Sequence, residues 1–373
     1  MAKEHPDDPL SSLVQPQHHH HHHHHGHHHK REFHLWRWLA GFALLVILAV
    51  AGVAAYAYHE LHSTVDHTYI PLPKQQQSDA TLKKTKPISI LLMGTDTGAF
   101  GRAEKNGRSD TMIVATLNPG NKTTTMISVP RDTMAQMMGD KGINIQKVNA
   151  AYSIGGATMA VDTTSALLGV PINYYAVINM GGLEKIIDAL GGVTIIPSLT
   201  FNNTGYSFTQ GKSTKMDGQK ALAYIRMRYN DPHGDYGRQD RERQVITAVI
   251  KAAPSLSNVT KFTELLKQVE GNFRTNLTFD NLVNLYRHYR AAGQNVKQDH
   301  LQGVGAYLNG SSYQIAPTSE LQRVSDLINQ NLDRPSKKLN NEETRQNALN
   351  PNFDWTATNS KVKYKVQGAD QVN

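Results

Sequence analysis

The chain has 373 residues, of which 39% are hydrophobic and 19% are charged, enough to bury a substantial core in one large domain with appendages. It contains no cysteine, which excludes a disulfide scaffold, a cysteine nucleophile, an iron–sulfur cluster and a thiolate zinc site. Its 39 Lys and Arg outnumber its 31 acids, a net charge of +8 that points to anionic partners, although a merely soluble basic surface has the same composition.

A histidine tract at residues 18–29 is the first feature along the chain. We predict that residues 1–34 form a His-rich cytoplasmic tail. The tract is either a low-complexity polar tail, native or added as a tag, or a binder of zinc or nickel.

An apolar run without charge follows the tract. It extends from Leu39 to Tyr58, twenty residues, and at ~1.5 Å per residue it spans ~30 Å, the thickness of a bilayer core. We therefore predict one transmembrane helix at residues 35–58. Basic residues flank only its N-terminal side, which places residues 1–34 in the cytoplasm and residues 59–373 outside, as in a single-pass cell-membrane protein. Ala55-Tyr56-Ala57 leaves a cleaved signal peptide as the alternative.

The net charge belongs to the exported part, because the four basic and four acidic groups of residues 1–38 cancel. Outside the membrane, the expected partners of a basic protein are anionic lipids, phosphate-bearing glycans and wall polymers rather than nucleic acid.

Beyond the apolar run, the pattern predicts an extracellular linker at residues 59–86, an α/β domain at 87–334 and a disordered C-terminal tail at 335–373. Helices and strands alternate in the domain, which favours three α/β/α layers with a central mixed sheet. The predicted strands are 88–93, 111–117, 123–129, 174–178, 193–196 and 296–301, with a hairpin turn at 118–121; the predicted helices are 157–168, 183–190, 238–253, 259–270, 279–291 and 319–332.

Polar clusters adjoin the first three strands. Gly94-Thr95-Asp96 ends the first strand, and Gly107-Arg108-Ser109-Asp110 precedes the second. Asp96 and Asp110 are hard oxygen ligands of the kind that suits magnesium bridging to a phosphate, whereas a turn or helix-cap role is the structural alternative. Arg131 follows Pro130, which stops the third strand.

The segment 223–246 carries five arginines and no lysine, and arginine is preferred where phosphate is recognised bidentately. Arg226 and Arg228 would share one side of an extended stretch, and Arg238 and Arg241 one face of a helix. Arg238 is expected to open that helix, where a bound anion would offset its unfavourable interaction with the helix dipole. A solvated charged face is the alternative, because acidic residues lie in the same segment.

Taken in order, these clusters resemble the LytR-CpsA-Psr (LCP) family of cell-wall glycopolymer transferases. The resemblance covers about residues 88–246, in the blocks ILLMGTD, GRSDTMIVATLNP, ISVPRD, KVNAAYSIGG, GVPINYYAVINMGGLEKIIDALGGV and ALAYIRMRYNDPHGDYGRQDRERQVI. A short cytoplasmic tail, one membrane helix and an external domain are also the layout of that family.

The resemblance implies an enzyme, a membrane-anchored extracellular phosphotransferase. Such enzymes attach a glycopolymer, such as wall teichoic acid or capsular polysaccharide, from an undecaprenyl-pyrophosphate carrier to the muramic acid 6-hydroxyl of peptidoglycan. Apolar helices would hold the polyprenyl chain, and Asp96 and Asp110 would hold Mg²⁺, with Mn²⁺ as the alternative. Asp110, Arg108 and Arg131 would be catalytic. The implied pyrophosphate-binding residues are Arg108, Arg131, Lys147, Arg226, Arg228, Arg238 and Arg241.

Some questions stay open at this point. The family commonly has Arg-Gln where this chain has Arg241-Glu242, so the role of Glu242, and whether Gln244 replaces the missing amide, are undecided. The base for the incoming hydroxyl is Asp96, Asp110 or neither. Hydrolysis of the carrier, binding without chemistry, and transcriptional regulation are the other functions considered; the outward topology argues against direct contact with DNA.

Overall fold

The computed structural model describes residues 69–72, 82, 84–96, 107–228, 231–253, 259–359 and 363–372. The predicted His-rich tail and transmembrane helix, and most of the linker, lie outside these residues. Within the described ranges, no helix combines the length and the apolar character that crossing a membrane requires.

The described residues form fifteen strands and eight α-helices. The strands are β1 Ile88–Thr95, β2 Ser109–Asn118, β3 Thr123–Ser128, β4 Met134–Gln136, β5 Asn144–Lys147, β6 Tyr174–Asn179, β7 Val193–Ile195, β8 Phe201–Asn203, β9 Tyr206–Phe208, β10 Thr214–Met216, β11 Phe273–Thr275, β12 Asn295–His300, β13 Val304–Leu308, β14 Ser311–Ile315 and β15 Gln371–Val372. The helices are α1 Ala150–Leu168, α2 Met180–Ala189, α3 Gly218–Arg226, α4 Gly234–Ala252, α5 Val259–Gln268, α6 Phe279–His288, α7 Thr318–Asn331 and α8 Glu342–Ala348.

The central sheet is mixed, as predicted. Its six strands lie in the order β11-β6-β1-β2-β3-β12. β1 runs parallel to β6 and antiparallel to β2, and β3 runs antiparallel to β2 and parallel to β12. The predicted strand at 193–196 forms β7, which pairs with β10 outside this sheet.

The β2–β3 hairpin forms where the sequence predicts it. Asn118 Oδ1 accepts hydrogen bonds from the backbone N–H groups of Gly120 at 3.0 Å and Asn121 at 3.1 Å. This asparagine turn fixes the register of the two strands.

Helices cover both faces of the sheet. Leu91, Val114 and Ile127, which are neighbours in the register, pack on one face in the same core cluster as residues of α1 and α7. On the other face, Ala115 and Met126 pack against partly buried residues of α4. Because both faces are buried, these strands read as almost continuous apolar runs rather than as alternating ones.

The prediction of a disordered C-terminal tail is wrong. The α8 helix begins at a capping box formed by Asn341 and Thr344, and β15 pairs parallel to β5. Phe353 and Tyr364 are buried against the β13–β14 hairpin. The polar composition of the segment led to the wrong prediction. The rings of Phe353 and Tyr364 pack edge to face with Trp355, and this small aromatic cluster gives the segment a core.

Two local predictions around the arginine-rich segment are also wrong. The α4 helix begins at Gly234, so Arg238 lies in its second turn and does not open the helix. Arg226 is the last residue of α3, so Arg226 and Arg228 are not alternate residues of an extended stretch. The α3 helix was not predicted from the sequence, although Asp217, whose side chain accepts a hydrogen bond from the Lys220 N–H, is a residue type that commonly caps a helix.

Candidate active site

A β-bulge sets the direction of the Asp110 side chain. Gly94 pairs with Thr111, but the next residue of β1, Thr95, pairs with Ser109, so Asp110 is the extra residue of β2. Bulges bend a strand and redirect a side chain, and they are common beside active sites. Asp96 directly follows Thr95. The register therefore brings the two predicted metal-binding carboxylates to the same end of the sheet.

Three of the predicted arginines converge on Asp110. Arg131 Nη1 lies 3.1 Å from Asp110 Oδ1, and Arg228 Nη2 lies 3.9 Å from Asp110 Oδ2. The Nη2 of Arg238 donates to the Asp110 backbone oxygen at 3.3 Å. The three residues come from the loop after β3, the segment after α3 and the second turn of α4, so only the folded chain brings them together.

Lys147 joins this cluster through Asp132. Lys147 Nζ lies 2.8 Å from Asp132 Oδ1, and Arg131 Nε lies 3.7 Å from Asp132 Oδ2. The β4–β5 pairing places Lys147 opposite Met134. Its ammonium group also lies 5.6 Å from the centroid of the Tyr313 ring. Asp132 was not among the predicted site residues, yet it connects two that were.

The β13–β14 hairpin supports this part of the site. The Gln314 N–H donates to the Asp132 backbone oxygen at 2.9 Å, and Thr133 forms an isolated parallel bridge with Gln314. Tyr313 is fully buried beside this contact. Burial raises the pKa of Tyr313 to about 12, and the nearby positive charge of Arg108 partly opposes that rise. Sequence reasoning missed the hairpin because its position beside residues 130–133 depends on a distant contact.

Arg238 is committed to carboxylates of its own helix. Its Nε donates to Asp235 Oδ1 at 3.0 Å, and its Nη1 donates to Glu242 Oε1 at 2.6 Å. Burial disfavours the Arg238 cation, but Glu242 and Asp235 outweigh burial and raise the pKa of Arg238. Burial raises the pKa of Glu242, against the opposing effect of Arg238. The Arg238–Glu242 ion pair therefore holds a cation next to Asp110. In this structure, the role of Glu242 is to pair with Arg238.

Arg241 points away from this cluster. It is 1% exposed, forms an ion pair with Asp231, and donates from Nη2 to the Met227 backbone oxygen at 2.6 Å. Asp231 approaches α4 so closely at Gly237 that any side chain there would overlap its carboxylate. These contacts hold the segment that carries Arg228. A direct contact of Arg241 with pyrophosphate stays a prediction.

The remaining residues that were named from the sequence lie at other positions in the fold. Arg108 is exposed just before β2, and Arg226 is half-buried in the last turn of α3, where a cation interacts favourably with the helix dipole. Gln244 accepts a hydrogen bond from the Tyr224 hydroxyl at 2.6 Å, so its amide is engaged elsewhere. Arg243, which the sequence did not single out, is buried and donates to Ser128 Oγ while pairing with Asp240.

Several buried polar atoms next to the cluster have no hydrogen-bond partner among the described residues. Native proteins leave few such atoms, so a group of them indicates a place for a polar ligand or water. Those adjacent in sequence or space to the Asp110 cluster are Ser109 Oγ, Arg131 Nε, Thr133 Oγ1, Gln239 Oε1, Glu242 Oε2 and Tyr313 Oη.

An apolar cavity of about 200 Å³ adjoins the charged cluster. Its walls include Leu92 and Ile178 of the sheet, Leu183 of α2 and Val245 of α4, and Glu242 is also part of its lining. Since Glu242 bonds Arg238, and Arg238 bonds the Asp110 backbone, a ligand with a hydrocarbon end and an anionic head could contact both regions at once.

Asp96 and Asp110 are the predicted magnesium ligands at this end of the sheet. Among the described residues, no group of three or more His, Asp or Glu side chains is arranged to hold a metal. Asp96 and Asp110 would offer two hard oxygen donors, which is the number of carboxylates that commonly holds Mg²⁺ when waters and substrate phosphates complete its shell. The partnerless Ser109 hydroxyl lies next to Asp110.

Known proteins resemble the chain over most of its length. The sequence profile of the LytR_cpsA_psr family matches residues 55–330. The polyisoprenyl-teichoic acid–peptidoglycan teichoic acid transferase TagU of Enterococcus faecalis is 43% identical over 293 residues, which cover 79% of this chain and 95% of that protein. Protein gbs0355 of Streptococcus agalactiae has a similar structure, with a TM-score of 0.64, 37% identity, and coverage of 70% of this chain and 93% of the other.

A further solved structure contains a ligand. It is TagT bound to LIIa-WTA, with a TM-score of 0.55, 26% identity, and coverage of 66% of this chain and 91% of the other. The extent of the profile match and the identity to TagU together show that the chain belongs to the LytR_cpsA_psr family.

Proposed function

We propose that this protein is a membrane-anchored teichoic acid transferase. In this proposal it moves a glycopolymer phosphate from an undecaprenyl-pyrophosphate carrier to the muramic acid 6-hydroxyl of peptidoglycan. The observation that carries the proposal is the continuous path from the apolar cavity, through Glu242 and Arg238, to Asp110 and Arg131. The name of the E. faecalis relative, and the LIIa-WTA bound by the related TagT, support the choice of substrate.

The apolar cavity would hold the part of the polyisoprenyl chain nearest to the pyrophosphate. Its volume of about 200 Å³ suits only the first isoprene units, so the rest of the chain would extend towards the membrane. Each buried CH₂ group contributes about 0.8 kcal/mol. The chain therefore anchors the donor and sets how far its head group reaches into the charged cluster.

The arginines would bind the pyrophosphate. Arg131 and Arg228 are partly exposed, with side-chain exposures of 25% and 45%, so both can turn from Asp110 towards an incoming anion. Arg238 is buried and held in place by the carboxylates of Asp235 and Glu242, so it contributes a positive charge at a fixed position. Arginine donates in a planar fork that matches the oxygens of a phosphate, and such charge-assisted hydrogen bonds are among the strongest in proteins.

The transfer itself requires mainly positioning and charge stabilisation. The acceptor hydroxyl oxygen forms a bond to the glycopolymer phosphorus, while the bond from that phosphorus to the bridging oxygen breaks and releases polyisoprenyl phosphate. Negative charge on the non-bridging oxygens is stabilised by Arg131 and Arg228. The hydroxyl proton passes to a carboxylate at the end of the sheet, for which Asp96 and Asp110 are the candidates. Mg²⁺ held by Asp96 and Asp110, or Mn²⁺ in its place, would neutralise phosphate charge.

The membrane anchor is part of the same proposal. The apolar run at 39–58 would place the domain on the outer side of the cell membrane, next to a carrier that is itself a membrane lipid, with residues 1–34 in the cytoplasm. The predicted orientation follows from the basic residues on the N-terminal side of the run.

The test uses the full chain in lipid vesicles with Mg²⁺, a synthetic polyisoprenyl-pyrophosphate teichoic acid donor and peptidoglycan oligomers. We expect mass spectrometry to detect a phosphodiester-linked conjugate whose formation requires both the acceptor and Arg131. Release of polyisoprenyl phosphate with no conjugate would show a hydrolase instead. Tight donor binding with neither product would show a binding protein, and either outcome would overturn the proposal.

A further inference from the structure

A second cavity lies on the opposite face of the central sheet from the apolar one. The face of the apolar cavity carries Leu92 of β1, next to Ala176 of β6 in the register. The second cavity, of about 410 Å³, has Thr125 of β3 next to Lys297 of β12, and Thr125 pairs across from Thr116. It is a groove between the edge of the sheet and α7, within the size range of binding sites for small molecules.

The lining of this groove is polar, and several of its side chains make no hydrogen bond with other described residues. Of the lining residues, Thr125 is buried and Leu327 is half-buried, whereas Asn121, Lys297 and Gln330 are exposed. Among the described residues, the side chains of Asn121, Thr125, Lys297 and Gln330 make no hydrogen bond or ion pair with the rest of the protein. They therefore present amide donors and acceptors, a hydroxyl and an ammonium group to a ligand.

The surrounding walls are firmly held. Asn331 Nδ2 donates to the Thr116 backbone oxygen at 2.9 Å, and Asn118 Nδ2 donates to the Asn331 backbone oxygen at 3.0 Å. These two bonds tie the end of α7 to the β2–β3 hairpin, and so hold one end of the groove.

Among the described residues that line the groove, the charged ones are Lys297 and Asp299. Arg323 pairs with Asp299, with Nη1 2.6 Å from Asp299 Oδ2, and also with Glu320. Burial opposes ionisation of Asp299, but the hydrogen bonds from Arg323 hold its pKa below the usual range. Lys297 is exposed and has no counter-ion among the described residues. A ligand that brings a negative charge would supply one.

We infer that this groove binds a saccharide chain that carries an anionic substituent. Sugar hydroxyls are donors and acceptors at once and match the amide and hydroxyl side chains, the apolar face of a sugar ring fits over Leu327, and the anionic group meets Lys297. A hydrocarbon chain would leave these polar groups without partners, which is costly. The inference rests on the proposed function, because it is a glycopolymer transferase that handles such chains.

The distance between the groove and the reaction site determines which ligands contact both. Thr125 is three residues from the end of β3, which is about 10 Å at ~3.3 Å per residue, and Arg131 lies beyond that end. A single sugar cannot contact both places, whereas a polymer can. Two polymers have this chemistry: the repeating units of the teichoic acid donor and the glycan strand of peptidoglycan.

Binding of lipid-free polymers to the full chain tests the inference directly. Calorimetric titrations would use teichoic acid oligomers in one arm and peptidoglycan glycan oligomers in the other. We expect the wild type to bind one of them, and Lys297→Ala to weaken that binding about tenfold, as for loss of a charge-assisted hydrogen bond. Thr125→Val, which keeps the side-chain shape, should also weaken it, whereas Lys338→Ala, at an exposed lysine outside the groove, should not.

A second readout separates this inference from the proposed function. The KM of the Lys297→Ala variant should rise for a polymer of many repeats and stay at the wild-type value for a donor or acceptor of one repeat. Binding of neither oligomer, or equal binding by Lys297→Ala, Thr125→Val and Lys338→Ala, would overturn the groove assignment. Absence of transfer even with the single-repeat donor would count against the proposed function instead. Circular dichroism spectra of all variants would establish that they fold.

Discussion

Arg131 Nη1 lies 3.1 Å from Asp110 Oδ1, and both side chains are about a quarter exposed. An ion pair with this much solvent access contributes little to stability, typically less than about 1 kcal/mol. Its position at a bulged strand end, with Arg228 and Arg238 on other atoms of Asp110, supports our proposal that the pair belongs to the reaction site.

Replacing Arg131 should therefore affect transfer much more than folding. We expect Arg131→Ala to lower the transfer rate by at least about 100-fold, the effect of removing a donor that stabilises developing charge. Its free energy of unfolding should stay within about 1 kcal/mol of the wild type. Transfer assays and urea unfolding check both statements. Arg334→Ala, at an exposed arginine, is the control, and an equal rate for the two variants would contradict this role.

Asp132 should act through Lys147, because its carboxylate lies 2.8 Å from the Lys147 ammonium group. Asp132→Asn keeps the size of the side chain but removes its charge. We expect Asp132→Asn and Lys147→Ala each to raise the KM of the donor, and the double variant to be no worse than the more impaired single variant. A full double-mutant cycle measures this coupling. Additive effects on KM would show that the two residues act independently.

Filling the apolar cavity should discriminate between donors by the length of their lipid. Ala176 lines the cavity, whereas Ala189 at the end of α2 is exposed. We expect Ala176→Phe to raise KM for a long polyisoprenyl donor by about tenfold or more, because about 0.8 kcal/mol is lost for each CH₂ group displaced. KM for a donor with a very short lipid should change less. If Ala176→Phe and Ala189→Phe behave alike with both donors, the cavity does not hold the lipid.

Glu343 should make the folded C-terminal segment sensitive to pH. Burial raises its pKa from 4.5 to about 7, and its Oε1 accepts a hydrogen bond from the Gln136 N–H at 2.8 Å. Between pH 4.5 and pH 7, Glu343 is ionised in the unfolded protein but keeps its proton in the folded protein. The free energy of unfolding is therefore highest below pH 4.5 and falls as the pH rises to 7. Above pH 7 the free energy of unfolding is lower than below pH 4.5 by an amount on the order of 3 kcal/mol.

The matching variant is Glu343→Gln, which keeps the accepting oxygen and cannot ionise. We expect it to unfold at a higher temperature than the wild type at about pH 8, and at a similar temperature at about pH 4. Thermal unfolding followed by circular dichroism at the two pH values makes the comparison. An identical pH dependence for the two proteins would show that Glu343 is not buried in this way.

The sequence predicted the central strands well and the connections between distant segments poorly. Apolar runs such as Ile88–Thr95 and the asparagine turn at Asn118 have local causes, so their elements were predicted close to the observed bounds. The C-terminal segment was assigned to disorder because its few aromatic residues are spread along a polar sequence. Their packing against β13–β14 is a long-range effect that composition does not reveal.

The candidate site shows the same division. Asp110, Arg228 and Arg238 were named from their residue types and Arg131 from the family resemblance, and the structure brings the four together. The bulge at Asp110 depends on a one-residue offset between strands, which no local pattern reveals. Arg241 resembles its neighbours in sequence, but its contact with Asp231 turns it away from the cluster.

The most direct test of this account is single-turnover transfer by Asp110→Asn beside Asp333→Asn. Both variants replace a carboxylate with an amide of the same size, but Asp333 is exposed two residues after the end of α7, where its positive φ suits asparagine. With mass-spectrometric detection of the conjugate, we predict at least about a 100-fold slower transfer for Asp110→Asn and an unchanged rate for Asp333→Asn. A rate for Asp110→Asn within about threefold of the wild type would contradict the assignment of this carboxylate, and of the arginines around it, to the reaction site.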